Sequence, residues 1–123
     1  MSSTKTNSKS ALVIAIPVAG GRLCMHFGHC EQFALLDVDT ADKKILSSRQ
    51  IDPPPHQPGI LPRWLHDQGV NLVVTGGVGR RAQNIFAEHG IEVIVGAPAE
   101  PPESIVRSYL DGKLQSGENI CDH

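Results

Sequence analysis

Four residues that bind soft metals, together with a thioether, fall within one short segment near the front of the chain. Residues 24–30 read Cys-Met-His-Phe-Gly-His-Cys. Zinc, copper and iron–sulfur centres favour thiolate and imidazole donors, because soft or borderline metals prefer sulfur and nitrogen to oxygen. The chain has only three cysteines and six histidines, so this concentration predicts a metal or metal-cluster site. The candidate ligands are Cys24, His26, His29 and Cys30, with Met25 as a weaker donor. The alternative is that the cysteines are small buried apolar residues and the histidines lie on the surface.

A second segment has the features of an anion site. Residues 75–81 read Thr-Gly-Gly-Val-Gly-Arg-Arg and lead into a predicted helix. Glycines let the backbone approach a ligand, and a helix N-terminus offers unpaired N–H groups with partial positive charge. Arginines in the first turn have the wrong sign for the helix dipole unless an anion compensates. The predicted anion-binding residues are Gly76, Gly77, Gly79, Arg80 and Arg81. The alternative is a tight strand-to-helix turn with solvated arginines.

Several enzymatic readings do not fit the chain. Gly77–Ala82 matches the dinucleotide pattern G-x-G-x-x-A, but the strand before it is not the first of a parallel unit and no acidic residue ends the next strand. A phosphate-binding loop would need Lys followed by Ser or Thr. A two-metal nuclease would need clustered carboxylates, and the first apolar run contains none. Cys30 and His29 are adjacent in a loop without a recognisable orienting acid. We therefore expect no catalytic residues.

The remaining cysteine and histidines are weaker candidates for metal ligands. Cys121 and His123 stand at the C-terminus, on an arm that either folds over the site or is an unstructured end. His56, in a proline-rich loop, is a minor candidate ligand. His66 and His89 end predicted helices, where a protonated histidine is mildly favourable, so we interpret both as structural.

Length and charge restrict the class of protein. A chain of 123 residues is expected to form one domain with an ordinary core, and a net charge of −2 argues against a general nucleic-acid binder. Three cysteines do not form the framework of a secreted domain, which predicts a cytoplasmic protein. No stretch is long enough to span a bilayer. We expect a disordered lead over residues 1–10, a single metallocluster-binding domain over 11–112 and a mobile tail over 113–123.

The predicted elements follow the order βββαβαβα. Two apolar runs, Leu12–Val18 and Gln32–Asp37, and a more polar segment of alternating character, Lys44–Ile51, predict three strands. The short connections between them make these strands an antiparallel meander. The helices Ile60–Gln68, Gly79–His89 and Pro102–Leu110 then alternate with the strands Asn71–Thr75 and Ile91–Val95. Right-handed crossovers place the fourth strand beside the first, which gives a mixed five-stranded α/β sheet of order 3-2-1-4-5 with helices packed on it, a ribonuclease-H-like arrangement. The loops 19–31 and 75–79 then meet at a topological switch point, where such sheets bind ligands.

The motifs together resemble a known family. Ile16-Pro17-Val18, His26-Phe27-Gly28-His29-Cys30, Phe33 and the segment Thr75–Ala82 resemble the dinitrogenase iron–molybdenum cofactor biosynthesis family, over about residues 11–112. Many small members also end in Cys-Asp-His, similar to residues 121–123. The resemblance implies a ribonuclease-H-like fold and a non-enzymatic carrier or scaffold for a metal–sulfur cluster, as in nitrogen fixation. It also implies that His26 contacts the cluster.

The resemblance leaves the cargo open among iron–molybdenum, iron–sulfur and molybdenum–copper sulfide clusters. It implies partners that donate or accept the cofactor during assembly, and neither nucleic acid nor membrane. Within this reading His26 is the first candidate for direct ligation, followed by Cys24, Cys30, His29 and Cys121. Two other hypotheses remain from the residues alone: a mononuclear zinc or copper site, and a regulatory module that binds an anionic metabolite at residues 76–81.

Overall fold

A computed structural model describes residues 11–25, 30–54 and 60–114. Within these residues the strands are β1 (Ala11–Ala19), β2 (Arg22–Leu23), β3 (Gln32–Asp39), β4 (Lys44–Ile51), β5 (Leu72–Val74) and β6 (Glu92–Ile94). The helices are α1 (Ile60–Asp67), α2 (Arg80–Glu88) and α3 (Pro102–Leu110). The predicted lead over residues 1–10, most of the predicted tail, His56 and residues 26–29 lie outside the described residues. None of the described helices is long and apolar enough to cross a membrane.

The strands form one mixed sheet in the order β4-β3-β1-β5-β6, with β2 paired to β1. β1 is antiparallel to β3 and parallel to β5, and β5 is parallel to β6. The mixed α/β fold is therefore confirmed, and the five predicted strands correspond to the five strands of the main order. The sheet differs in detail from the prediction because it contains a sixth strand, β2.

The strand β2 forms a tight hairpin with the end of β1. Val18 pairs with Leu23 and Ala19 with Arg22, so only Gly20 and Gly21 make the turn. Both glycines have positive φ angles, 63° and 80°, which is the backbone that a two-residue hairpin requires and that other residues seldom adopt. Two strand residues are too few to show an alternating pattern, so the hairpin was not predicted.

The core lies on both faces of the sheet, because β1 is buried on both sides. Ile14, Ile16 and Val18 join the core under α3, together with Ile105 and Val106 of that helix. On the other face, a second cluster is covered by α1 and α2, and it includes the following residues: Ala15, Phe33, Leu61, Leu65, Val73, Val78 and Phe86. We call these the α3 face and the α1/α2 face. The continuous apolar run of β1 is the pattern expected for a strand covered on both sides.

Replacing Phe33 should strongly destabilise the α1/α2 face. Phe33 is fully buried, and its ring meets that of Trp64 edge to face at 5.6 Å between centroids. Phe33→Ala should lower the free energy of unfolding by about 3–5 kcal/mol, because it removes buried apolar area and leaves a cavity. Urea denaturation measures this change. Leu46→Ala is the control, since Leu46 is 61% exposed, and it should change the stability by no more than about 0.5 kcal/mol.

Candidate metal-cluster site

The two segments that the sequence singled out meet at one end of the sheet. β1 and β5 are parallel neighbours, with Ile14 beside Leu72 and Ala15 beside Val73, so the loops that follow them leave from the same end. A Cβ atom added to Gly76 would lie 2.9 Å from the carbonyl oxygen of Met25 and 3.0 Å from its Cα. The backbones of the two loops are therefore in direct contact, and only glycine fits at position 76 without displacing one of them.

The first loop is attached to β1 at both of its ends. The backbone N–H of Cys24 donates to the carbonyl oxygen of Pro17 at 2.7 Å, and the N–H of Glu31 donates to that of Val18 at 2.8 Å. β2 and β3 both pair with Val18, and a strand residue has one neighbour on each side, so the two ends of the loop lie on opposite sides of β1. The segment that contains the soft donors is therefore anchored across the carboxyl end of the central strand.

Strand alternation places both described cysteines on the α1/α2 face. Leu23 belongs to the core of the α3 face, and the hydrogen bond from Cys24 to Pro17 continues the β2 ladder by one residue. Because successive side chains in a ladder point to opposite faces, Cys24 points to the α1/α2 face. Cys30 packs against the core of that same face. The two thiols are not joined by a disulfide.

The environment of Cys30 disfavours its thiolate. Burial of the thiol, with a further contribution from the negative charge of Cys24, raises the pKa of Cys30 from 9.0 to about 11. Desolvation penalises the charged form of a thiol, and a neighbouring like charge adds to this effect. Cys30 is therefore a neutral thiol at pH 7, and a metal bound to its sulfur would have to displace the proton.

The second loop is fixed by the last residue of β6 and by the loop that follows this strand. The N–H of Thr75 donates to the carbonyl oxygen of Ile94 at 2.9 Å, and the N–H of Gly96 donates to that of Gly76 at 3.0 Å. The side chain of Thr75 is fully buried, and its hydroxyl donates to the carbonyl oxygen of Gly77 at 3.4 Å. Val78 is buried in the core of the α1/α2 face. These hydrogen bonds and the burial of Val78 hold Gly76 in position. The loop cannot move away from Met25 without breaking them.

Helix α2 begins at this loop and makes the site electropositive. Gly79 occupies the N-cap position without a side-chain hydrogen bond, and the first turn contains no acidic residue. Arg80 and Arg81 are exposed at the start of the helix. The partial positive charge of the helix N-terminus and two guanidinium groups therefore share one region. An anion beside the first loop would be stabilised by both.

A third loop, not predicted to contribute, supports the site from the α3 face. The N–H of Leu23 donates to the carbonyl oxygen of Glu100 at 2.9 Å, and the Arg22 guanidinium donates to that of Ala99 at 3.4 Å. These bonds hold β2, and with it the start of the cysteine-containing loop. The topology could have predicted this supporting role. Residues 95–101 follow β6, which is parallel to β1 and β5, so this loop leaves the sheet at the same end as the other two loops.

The predicted site residues divide into two groups. Cys24, Cys30 and the anion-loop residues Gly76, Gly77, Gly79, Arg80 and Arg81 lie at the same end of the sheet. His26, His29 and Cys121 lie outside the described residues. Within the described part of the chain, no group of three or more His, Cys, Asp or Glu residues is arranged to hold a metal ion. His66 and His89 lie at the C-terminal ends of α1 and α2, away from the two loops, and their ring centroids are 4.7 Å apart.

A family comparison matches most of the chain. The sequence profile of the family described as dinitrogenase iron–molybdenum cofactor matches residues 10–112. The protein therefore belongs to this family, and the resemblance based on the two loop motifs is confirmed.

Individual relatives cover nearly the whole chain as well. An uncharacterised protein of Methanocaldococcus jannaschii is 26% identical over 118 residues, which span 94% of this chain and 99% of that protein. The crystal structure of the protein PH0822 is similar with a TM-score of 0.78 and 27% identity, over 85% of this chain and 94% of that one. The apo form of the orange protein from Desulfovibrio gigas has a TM-score of 0.68 at 24% identity, over 87% and 93% of the two chains. At that identity the last comparison shows a shared fold.

Gly76→Ala should separate the two loops. The added methyl group would meet backbone atoms of Met25 at 2.9 and 3.0 Å, and a backbone held by hydrogen bonds cannot move away at low cost. We expect a loss of about 1–3 kcal/mol in the free energy of unfolding, measured by urea denaturation, with a shift of the Met25 methyl resonance. Gly79→Ala is the control, because nothing lies within 4 Å of its added Cβ. Equal stability of the two variants would contradict the contact.

The reactivity of Cys30 should report its raised pKa. Because the thiolate is the nucleophile, and about one thousandth of Cys30 is ionised at pH 8, its alkylation by iodoacetamide should be slow there. The rate should continue to increase up to about pH 11. Mass spectrometry of the separate cysteine peptides measures this rate without interference from Cys24 or Cys121. A plateau near pH 9, or the same profile in urea and in buffer, would contradict the burial of this thiol.

Proposed function

We propose that the protein binds and carries a metal–sulfur cluster and catalyses no reaction of its own. The observation that carries the proposal is the contact between Met25, in the loop rich in soft donors, and Gly76, in the loop that precedes the electropositive helix terminus. Membership of the iron–molybdenum cofactor family supports a role in the binding or biosynthesis of such a cofactor.

In the proposed site each loop has its own task. The first loop supplies sulfur and nitrogen ligands: His26 first, then Cys24, Cys30 and His29. Cys121, near the C-terminus, is a further candidate ligand. The second loop brings the backbone close at Gly76 and Gly77, while the N-terminus of α2, Arg80 and Arg81 stabilise the negative charge of the cluster. Metal–sulfur clusters of this kind are anionic, which matches the sign of this region.

The proposed role is that of a carrier, for which tight binding is a disadvantage. The raised pKa of Cys30 means that its ligation involves the loss of a proton that the free protein holds firmly. A cluster held by few direct bonds and by electrostatic attraction can pass to an acceptor protein. We expect donor and acceptor proteins of cofactor assembly in the cytoplasm, and a cargo of the iron–molybdenum, iron–sulfur or molybdenum–copper type.

The ribonuclease-H-like classification of the sheet stays a prediction.

His26→Ala should reduce cluster uptake without changing the fold. The protein is purified and loaded anaerobically with iron, sulfide and molybdate, and bound metal, labile sulfide and the visible spectrum are measured. The parent protein should show broad sulfide-to-metal absorption, and the variant should retain less of it with an unchanged circular dichroism spectrum. His66→Ala is the control, because His66 lies at the far end of α1 and should load normally. Undiminished loading of His26→Ala would remove His26 from the site, and stoichiometric zinc without colour in the parent would favour a mononuclear site.

The charge of the α2 terminus should contribute to cluster affinity. Replacing Arg80 and Arg81 together by Ala should increase the fraction of cluster released to a chelator in a fixed time. The difference from the parent should shrink at high salt, because exposed charges are screened. Arg63→Ala removes an exposed arginine from α1 and is the control. A salt-independent difference, or an equal effect of Arg63→Ala, would contradict electrostatic stabilisation by this helix.

A further inference from the structure

The C-terminal ends of α1 and α2 lie side by side, at the end of the sheet opposite the cluster loops. Each helix leads through a short turn into a parallel strand, α1 into β5 and α2 into β6. Because β5 and β6 are parallel neighbours, with Leu72 beside Glu92, the two turns enter the sheet next to each other. This end of the molecule therefore brings together two helix termini that the proposed cluster site does not use.

The two helices end in the same hydrogen-bonded turn, which fixes the position of their last residues. The glycine after each helix has a positive φ, 85° at Gly69 and 73° at Gly90. The N–H of each glycine donates to the carbonyl oxygen three residues earlier at 3.0 Å, and the next N–H donates to the oxygen five residues earlier, at 3.1 Å after α1 and 2.9 Å after α2. This arrangement is a Schellman motif. The residues after the glycines, Val70 and Ile91, are buried in the core of the α1/α2 face, so both helix ends are anchored.

Two histidine rings lie in contact between these helix ends. His66 lies in the last turn of α1, and His89 is the C-cap residue of α2. Their ring centroids are 4.7 Å apart, and the ring planes are inclined by 33°. The side chain of His66 is 50% exposed and His89 is half-buried, so an ion in solution can approach the pair. Imidazole nitrogens are the commonest protein ligands of transition metals, and the pair offers two of them together.

The charge at this end of the sheet has the sign that a cation requires. A helix C-terminus carries partial negative charge, and two such termini meet here. Asp67 and Glu88, the last residues of the two helices, are exposed. The last turn of α2 contains no basic residue and that of α1 contains only His66, while Arg63 is exposed one turn earlier in α1. The two ends of α2 therefore differ in charge, and a metal cation is favoured at the C-terminal end.

The carboxylate of Asp67 lies on one particular side of the His66 ring. Its Oδ1 atom is 3.9 Å from Nδ1 of His66. A histidine that binds a metal through one ring nitrogen commonly directs its other N–H to a carboxylate, which fixes the tautomer and the ring orientation. Because the carboxylate stands beside Nδ1, Nε2 is the nitrogen of His66 that is placed to bind a metal.

We propose that His66 and His89 together bind one divalent transition-metal ion such as Zn²⁺, with water completing its coordination. Two nitrogens that each lie about 2.1 Å from one zinc ion stand about 3–3.5 Å apart. Rings with centroids 4.7 Å apart reach this spacing when they rotate about the Cβ–Cγ bond so that one nitrogen of each ring converges on the ion. The site does not depend on the proposed cluster site, because it lies at the other end of α2 and shares no residue with it.

Titration of the cluster-free protein with Zn²⁺, followed by NMR of the histidine ring protons, tests the proposal. The ring resonances of His66 and His89 should shift together and give the same dissociation constant. Zinc at the cysteine-containing loop perturbs other resonances, so the two rings report their own site, whatever the outcome of the cluster experiments. Ring resonances that stay unchanged in excess Zn²⁺, or a shift of one ring without the other, would overturn the proposal and leave the histidines as helix ends only.

Single substitutions check that the two rings bind the same ion. In His89→Ala, the dissociation constant measured at the His66 ring should rise at least about tenfold, because the second imidazole no longer binds the ion within the same molecule. His66→Ala should have the same effect at the His89 ring. Arg63→Ala is the control, since it removes an exposed side chain of α1 that is no metal ligand, and it should not weaken binding. An unchanged dissociation constant in both histidine variants would mean that each ring binds zinc alone, and an equal loss in Arg63→Ala would attribute the effect to the helix; either result would overturn the shared site.

Discussion

The parallel pairing of β1 with β5 is the constraint on which the candidate site depends. Two neighbouring pairs, Ile14 with Leu72 and Ala15 with Val73, bring together segments that are 58 residues apart in the chain. Because the two strands are parallel, their carboxyl ends lie at the same end of the sheet. The loop that follows β1 and the loop that follows β5 therefore lie next to each other. The absence of a side chain at Gly76 then lets the backbone of Met25 lie against it. Without this contact, the soft donors and the electropositive helix terminus would be unrelated features of the surface.

The two faces of the sheet contribute differently to the candidate site. The α1/α2 face receives the Cys24 and Cys30 thiols and the start of α2, so any bound group would meet ligands and positive charge on one side. The α3 face provides support, through the hydrogen bonds from Arg22 and Leu23 to residues 99 and 100. This division follows from strand alternation, since Leu23 points into one core and the next residue points away from it. A short hairpin thereby decides which face the first thiol occupies.

The sequence predicted the large features of the fold and missed the smallest one, for a physical reason. β1 and β3 were identifiable from their apolar runs and β4 from its alternating character, and the short turns between them predicted antiparallel pairing. The parallel strands β5 and β6 were identifiable because glycines separate them from their helices. β2 has two residues and is defined by the turn at Gly20 and Gly21 rather than by any periodicity. The shared face of Cys24 and Cys30 could not be predicted without β2, because it depends on the ladder that β2 continues. The meeting of the two loops followed from topology, whereas the atomic approach of Met25 to Gly76 depends on how Thr75 and Val78 anchor the second loop.

The charge around the site distinguishes between the metals that its soft ligands would accept. Cysteine and histidine bind a single zinc or copper ion as readily as a cluster, so the ligand types alone do not decide. A bare divalent cation, however, would be brought towards the N-terminus of α2 and two arginines, all of the same sign as itself. The acidic side chain nearest in sequence, Glu31, accepts the Gly20 N–H at 3.1 Å and is therefore engaged in the hairpin. An anionic sulfide cluster would gain from the same charges that oppose the cation. The electrostatics of the second loop thus favour a cluster over a mononuclear ion at a site whose ligands permit both.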